Sequence, residues 1–242
     1  LSIRRQRQMC IRDRVAEAYE AHIHNDSFEH MVQPKMVYIS NPTEVGTIYS
    51  KAELTALSET CHKYGLYLFL DGARLGYGLA APDNDLTLPE IAALCDVFYI
   101  GGTKVGALFG EAVVIKNPEL AQDFRYIIKQ NGGMLAKGRL LGLQFDALFT
   151  DGLYQEISAH AIAMAEKLRE AFTAKGYNYL APNRTNQIFV IVPDAHLAKI
   201  SEQFEYSYDQ RIDATHSCVR FCTGWATKEE NVDALIRCVE KL

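Results

Sequence analysis

The cysteines of this sequence lack the spacing of a metal site or a disulfide framework. No C-x-x-C pair is present, and no histidine accompanies the cysteines at zinc-finger spacing. The six cysteines are scattered along the chain: Cys10, Cys61, Cys95, Cys218, Cys222 and Cys238. This pattern predicts reduced thiols, most of them in the protein core, and no bound metal ion.

The sequence also lacks long apolar runs and a strong charge of one sign. No run approaches the roughly 20 apolar residues that a membrane-spanning helix needs. The formal net charge of -5 gives no general attraction to nucleic acid or to anionic membranes. Strings of the form G-x-G-x-x-G or G-x-x-x-x-G-K-S are absent, which argues against a nucleotide-binding protein. We therefore expect a cytoplasmic protein that acts on small molecules or binds other proteins.

The composition is sufficient for a sizeable core, because 48% of the 242 residues are hydrophobic. The start of the chain differs from the rest, since the first fourteen residues read LSIRRQRQMCIRDR, with five arginines and no apolar periodicity. We expect residues 1–14 to be a foreign or disordered tail, with a genuine basic tail as the alternative.

Short apolar runs and an amphipathic helix follow one another from residue 36 onward. The strand candidates are MVYIS (36–40), LYLFL (66–70), VFYIG (97–101) and AVVI (112–115). Between the first two, Ser50 and Glu53 have the spacing of a capping box, and Gly65 ends the helix. This order predicts an α/β domain over residues 15–135, with a mainly parallel sheet and flanking helices.

Beyond Gly133 the pattern changes to long helices followed by further strands. Helical periodicity covers 139–150 and 157–175, and the strand candidates are 177–180, 187–192 and 218–222. A last helix is predicted to start at Thr227, because Glu230 follows it at capping-box spacing. We expect a smaller α+β domain over residues 136–242, packed on the first.

Three polar residues come after the predicted strands of the first domain. Ligands of open α/β sheets bind outside the carboxyl ends of the strands, so Asp71, Arg74 and Lys104 should face one crevice. Lys104 follows an apolar run and two glycines, where a lysine either reaches solvent or is kept neutral in order to react. A lysine and an aspartate so placed are the two anchors that pyridoxal phosphate needs. The alternative is a turn aspartate, a surface arginine and an exposed loop lysine.

Longer segments of the chain carry a more specific resemblance. Threonine aldolases, within the fold type I group of pyridoxal-phosphate enzymes, have aspartate and Schiff-base lysine segments that closely resemble YLFLDGARLGYGLA and FYIGGTKVGALFGEAVV. The resemblance continues through MVYISNPTEVGTIYSKAEL, GGMLAKGRLLG and CVRFCTGWATKEENVDAL, and covers nearly everything from about residue 30. It implies a lyase that cleaves a β-hydroxy amino acid such as threonine to glycine and an aldehyde. It also implies a homodimer or homotetramer.

The resemblance assigns a role to individual residues. Lys104 corresponds to the catalytic Schiff-base lysine, and Asp71 to the partner of the pyridinium nitrogen. Arg74 would lie by the 3′-oxygen of the cofactor and the substrate, and the hydroxyl of Thr103 near the phosphate. Arg220 matches the arginine that binds the substrate α-carboxylate, a role suited to its bidentate fork.

The sequence departs from the family pattern in two places. Where the aldolases carry a histidine after the first strand, this sequence has Thr43, which cannot act as a base at neutral pH. A β-elimination or an aminotransferase-like reaction therefore stays open, and Thr43 either contacts the substrate or only forms a turn. The phosphate-binding Gly-Thr loop and the ring-stacking residue of the family have no counterpart before residue 30. We therefore expect a truncated chain, with a catalytically silent packing or association module as the alternative.

Overall fold

The computed structural model of the protein describes residues 11–242. Residues 1–10, which include Cys10 and most of the predicted tail, lie outside the described part. The first helix, α1 (Ile11–Ile23), begins before the predicted tail boundary at residue 14. Residues 11–14 are therefore helical. Val15 of the same helix is buried in the hydrophobic core of the first sheet. The foreign origin of the tail stays a prediction.

The first sheet contains the four strands that the sequence predicts. They are β1 (Met36–Ser40), β2 (Tyr67–Asp71), β3 (Val97–Gly101) and β4 (Glu111–Ile115). The strands lie in the order β1-β2-β3-β4, with the first three parallel and β4 antiparallel to β3. The helices around them are α2 (Lys51–Lys63), α3 (Leu75–Leu79) and α4 (Leu88–Leu94). The mainly parallel sheet is confirmed.

Local sequence explains α2 well. The Ser50 N–H donates to Glu53 Oε2 at 2.9 Å, and the Glu53 N–H donates to Ser50 Oγ at 3.3 Å, so the predicted capping box is present. Leu54 and Leu57 are fully buried against the sheet. Gly65 follows the helix with a φ of 65°, a left-handed conformation in which glycine is favoured.

The second part of the chain forms an antiparallel sheet with helices. Its strands are β5 (Asn178–Tyr179), β6 (Gln187–Pro193), β7 (Ser207–Arg211) and β8 (His216–Cys222), in the order β5-β6-β8-β7. The remaining helices of the described residues are α5 (Pro118–Ala121), α6 (Phe124–Gln130), α7 (Arg139–Phe149), α8 (Leu153–Ala174), α9 (Asp194–Ile200) and α10 (Glu229–Glu240). Short 3-10 turns cover Phe28–His30 and Thr150–Gly152. No helix of residues 11–242 has the length and apolar character of a membrane span.

The predicted start of the last helix is wrong. Helix α10 begins at Glu229, and Thr227 does not cap it. The Thr227 hydroxyl instead accepts the Gly224 N–H at 2.8 Å, because the turn after β8 uses it. The helix therefore starts only after this turn is complete.

Helix α8 connects the two parts. Met164, Leu168 and Phe172 in its second half are buried against the second sheet. Near its start, the Tyr154 hydroxyl donates to the Gly101 carbonyl at 2.9 Å and accepts the Gly76 N–H at 3.1 Å. One helix is thus anchored to the first sheet at one end and covers the second sheet at the other. The domain limits 15–135 and 136–242 stay predictions.

Candidate active site

Close backbone contact brings the ends of β2 and β3 together. The Gly101 N–H donates to the Gly72 carbonyl at 2.9 Å. A Cβ on Gly72 would lie 1.9 Å from the Tyr99 carbonyl oxygen, and one on Gly101 would lie 2.3 Å from the Ala73 carbonyl oxygen. Only glycine fits at either position. Asp71 ends one strand and Lys104 follows the other, so both lie at the same edge of the sheet.

Asp71 is a half-buried carboxylate with several hydrogen-bond donors. Tyr38 donates its hydroxyl to Oδ2, Tyr99 donates its hydroxyl to Oδ1, and the Ala73 N–H donates to Oδ1 at 2.9 Å. Burial alone would raise the pKa of Asp71. The three hydrogen bonds and the positive charge of Lys104 outweigh burial and lower this pKa below its ordinary value. Asp71 is therefore ionised at neutral pH.

Lys104 lies in an exposed turn, so the alternative in which it reaches solvent is the one that the structure shows. Strand β3 ends at Gly101, and the chain turns before the lysine. The turn itself is fixed. The Gly102 N–H donates to Glu111 Oε2 at 2.5 Å, and the Thr103 hydroxyl donates to the Gly110 carbonyl at 3.4 Å. A fixed turn thus presents an amine that a carbonyl compound can reach.

The buried residue Tyr77 links this turn to the second part of the chain. Its hydroxyl donates to the Lys104 carbonyl at 2.5 Å and accepts the Trp225 N–H at 3.3 Å. Its side chain is only 1% exposed. Sequence reasoning missed Tyr77, because it reads as an ordinary apolar position of the helix that follows Asp71.

Three positively charged residues act electrostatically on Cys222 at the end of β8. The surrounding protein raises the pKa of the Cys222 thiol, and the positive charges of Arg74, Arg220 and Lys104 act in the opposite direction. The N-cap residue of α3, the lysine turn and β8 therefore each place a positive charge within electrostatic reach of this thiol. This cluster can attract an anionic ligand.

Arg220 has hydrogen-bond donors to spare. Its Nη1 donates to Gln187 Oε1 at 3.3 Å and its Nη2 donates to Ser207 Oγ at 3.4 Å. Its guanidinium lies over the Phe189 ring, 5.9 Å from the centroid. Among the residues that the structure describes, no group accepts a hydrogen bond from its buried Nε. Each Nη carries a second N–H besides the one that it donates, and an incoming carboxylate can accept from these groups.

Thr43 forms a turn with Thr47 in the loop after β1. Its hydroxyl lies 2.7 Å from the Thr47 hydroxyl, and its N–H donates to the Thr47 carbonyl at 2.7 Å. The side chain is buried. Its contact with a substrate stays a prediction.

The other candidate site residues fit pyridoxal phosphate, the cofactor that the sequence suggests. An ionised carboxylate suits a protonated ring nitrogen, and an exposed amine suits an aldehyde. The arginines suit anionic substituents. Tyr38, Tyr99, Tyr77 and Cys222 complete the surroundings, although no sequence motif had indicated them.

Comparisons with known proteins agree with this arrangement. The family described as Beta-eliminating lyase matches residues 12–195. A low specificity L-threonine aldolase of a Pseudomonas species is 33% identical over 210 residues, which are 85% of this chain and 59% of that protein. The chain thus spans about three fifths of the length of this curated relative.

Solved structures give the same result. A Leishmania major threonine aldolase structure has a TM-score of 0.89 and 44% identity, and the match covers 94% of this chain and 66% of that one. A Thermus thermophilus aspartate aminotransferase has a TM-score of 0.63 at 16% identity, over 88% of this chain and 59% of that one. The second similarity concerns the fold alone, and it extends the likeness to other fold type I enzymes.

Proposed function

Because the chain belongs to the beta-eliminating lyase family of pyridoxal-phosphate enzymes, we propose that it acts in a threonine aldolase reaction. In this reaction a β-hydroxy amino acid such as threonine is cleaved to glycine and an aldehyde. The observation that carries the proposal is the common sheet edge of Asp71 and Lys104, where the positive charge of Lys104 acts on Asp71. The charges of Arg74, Arg220 and Lys104 also all act on Cys222.

Each residue of the cluster has a separate task. Lys104 would hold the cofactor covalently through Nζ, and the ionised Asp71 would hold its ring nitrogen protonated. When bound, the cofactor supplies an electron sink for the negative charge left on the substrate Cα. Arg74 and the Thr103 hydroxyl would contact its 3′-oxygen and its phosphate. Arg220 would bind the substrate α-carboxylate with its spare donors.

Reductive trapping tests the proposal directly. The chain is incubated with pyridoxal 5′-phosphate, reduced with borohydride, digested and mapped. We expect the label on Lys104 and its loss in Lys104→Arg, whereas Lys129→Arg is the control, since Lys129 lies on the exposed helix α6. A label mainly on Lys51, Lys129 or Lys137 would refute the assignment. No specific label at all would leave the alternative of a silent association module.

A β-elimination is the second candidate, and Thr43 favours it. The Thr43 hydroxyl is engaged with Thr47. The loop after β1, residues 41–50, contains no histidine that could accept a proton from a β-hydroxyl. Incubation with threonine and with β-chloroalanine separates the two reactions. Acetaldehyde and glycine from threonine support aldol cleavage, whereas pyruvate from β-chloroalanine alone supports elimination.

We also propose that copies of the chain associate near the lysine turn, in a homodimer or homotetramer. Large apolar side chains are exposed there, with Leu108 at 85%, Leu140 at 55% and Leu143 at 44%. Sedimentation should show that Leu108→Ser with Leu140→Ser weakens association. Tyr208→Ser, on the exposed strand β7, is the control. A cytoplasmic location agrees with the free thiols of the described cysteines.

A further inference from the structure

Two tyrosines from neighbouring strands hold the Asp71 carboxylate. In the sheet register, Ser40 pairs with Asp71, and Phe69 pairs with both Tyr38 and Val97. Side chains two residues apart on a strand share a face, so Tyr38 and Tyr99 lie on the same face as Asp71. Both phenols donate to the carboxylate, one to each oxygen.

The hydrogen bonds can be counted oxygen by oxygen. A carboxylate offers about four lone-pair positions, two on each oxygen. Oδ1 accepts from the Tyr99 hydroxyl and from the Ala73 N–H, so both of its positions are used. Oδ2 accepts from the Tyr38 hydroxyl. Within residues 11–242, one position on Oδ2 is left for a further donor.

The other charged groups near Asp71 are consistent with this arrangement. Lys104 on the following turn lowers the pKa of Asp71 by its positive charge. Burial and the hydrogen bond to Asp71 raise the pKa of Tyr99, and the negative charge of Glu111 on β4 acts in the same direction. Tyr99 therefore remains a protonated donor at neutral pH.

We propose that Tyr38 and Tyr99 are positioning residues that orient Asp71 and leave one lone pair of Oδ2 for the cofactor's ring N–H. The inference rests on the proposed function in one respect, namely that Asp71 faces the ring nitrogen. The two phenols share the carboxylate's negative charge and prevent it from rotating. Asp71 is thus presented to the ring in one orientation.

A simpler role for the two rings is packing. Tyr38 stacks on Phe69 with centroids 5.2 Å apart, and Tyr99 lies 6.2 Å from the same ring. If packing were their whole role, replacement by phenylalanine would leave Asp71 unchanged. Tyr38→Phe and Tyr99→Phe keep the ring and remove only the donor, so they separate the two roles.

The first measurement needs no cofactor. The Asp71 carboxyl is titrated by carbon-13 NMR in the unloaded chain with labelled aspartate, and Asp71→Asn identifies its signal. Because the phenols stabilise the ionised form, each single variant should raise the pKa of Asp71, and the double variant should raise it further. Tyr179→Phe is the control. Tyr179 lies on β5 of the second sheet, and its hydroxyl donates to the Arg169 carbonyl at 2.8 Å.

An unchanged Asp71 pKa in folded Tyr38→Phe or Tyr99→Phe would overturn the proposal. The two single variants act on different oxygens, so either one suffices if the other fails to fold. Thermal unfolding of each variant shows which proteins are comparable.

The second measurement uses pyridoxal 5′-phosphate labelled with nitrogen-15 in the ring. The ring nitrogen signal of the loaded chain should shift in the double variant and stay unchanged in Tyr179→Phe. An identical signal in the wild-type chain and the double variant would overturn the role toward the ring. If the wild-type chain binds no cofactor, the proposed function fails, and the role toward the ring fails with it. The titration still decides independently whether the tyrosines hold the charge of Asp71.

Discussion

Asp71 and Arg220 are two charged groups of the candidate site that the two sheets hold in different ways. Asp71 accepts three hydrogen bonds, from β1, from β3 and from its own turn. Arg220 makes two long hydrogen bonds and has a buried Nε without an acceptor in the described part of the chain. The first sheet and the turn after β2 therefore supply three of the about four hydrogen bonds that the Asp71 carboxylate can accept, whereas the second sheet leaves N–H donors of Arg220 for a ligand.

The difference suggests that the two groups contribute differently to stability and to binding. A satisfied carboxylate should stabilise the fold, and its removal leaves donors unpaired. An arginine with unsatisfied donors should contribute little to the fold and much to the binding of an anion. The following predictions test this contrast, from the largest expected effect on stability to the smallest.

Gly72→Ala should have the largest effect, because it breaks the edge that presents Asp71. The new Cβ would lie 1.9 Å from the Tyr99 carbonyl oxygen. We expect a loss of about 3 kcal/mol or more in the free energy of unfolding, measured by urea titration. Gly142→Ala on α7 is the control, since nothing lies within 4 Å of its new Cβ. Alanine should stabilise that helix by up to about 1 kcal/mol. Equal stability of the two variants would contradict the proposed role of close backbone contact.

Asp71→Asn should destabilise the protein by about 1–2 kcal/mol at pH 7, because the phenols lose their charged acceptor. The pKa of Asp71 lies below its ordinary value of 3.8 in the folded chain. The contribution of its charge is therefore fully present above pH 3.8 and is lost as the pH falls through the folded-state pKa. Urea titrations at pH 7 and pH 3 should show the difference between wild type and variant shrinking in acid. Asp209→Asn on exposed β7 is the control.

Tyr77→Phe should cost about 1–2 kcal/mol, since it leaves the Lys104 carbonyl and the Trp225 N–H without their buried partner. Trp225 is the only tryptophan of the chain, so its fluorescence reports on this link. We expect the emission of Trp225 to change in Tyr77→Phe and to stay unchanged in Tyr179→Phe. Unchanged emission and unchanged stability would show that the hydroxyl does not connect the two parts.

Arg220→Gln should change the free energy of unfolding by only about 0.5 kcal/mol or less, because little in the fold depends on its contacts. In the loaded chain, the same substitution should weaken binding of the amino-acid carboxylate by roughly 10- to 100-fold. Equilibrium titration with threonine measures this loss. A large loss of stability with unchanged affinity would reverse the contrast between Asp71 and Arg220.

The sequence predicts those parts of the fold that depend on neighbouring residues. The α2 capping box at Ser50 and Glu53 is a contact between residues three apart, and it is confirmed. Thr227 and Glu230 have the same spacing, but the Thr227 hydroxyl is taken by Gly224. A local pattern therefore fails where a tertiary turn competes for the same side chain.

The candidate site shows the same difference between features that local sequence predicts and features that depend on tertiary contacts. The strand ends placed Asp71 and Lys104 at one edge of the sheet, and the structure agrees. The roles of Tyr38 and Tyr99 could not be predicted, because their meeting at Asp71 depends on the register of three strands. Strand β7 was missed for a related reason, since its residues are all exposed and its pairing depends on β8.

Tyr154 fixes the start of α8 to the first part of the chain. The helix has 22 residues and is thus roughly 33 Å long. Its first turn is hydrogen-bonded to Gly76 and Gly101, while its second half carries the second sheet. The second half is also connected to the loop after β1, since Arg169 donates to the Thr185 carbonyl at 3.2 Å and the Thr185 hydroxyl donates to the Gly46 carbonyl at 2.8 Å. Helix α8 is therefore connected to the first part of the chain at both of its ends.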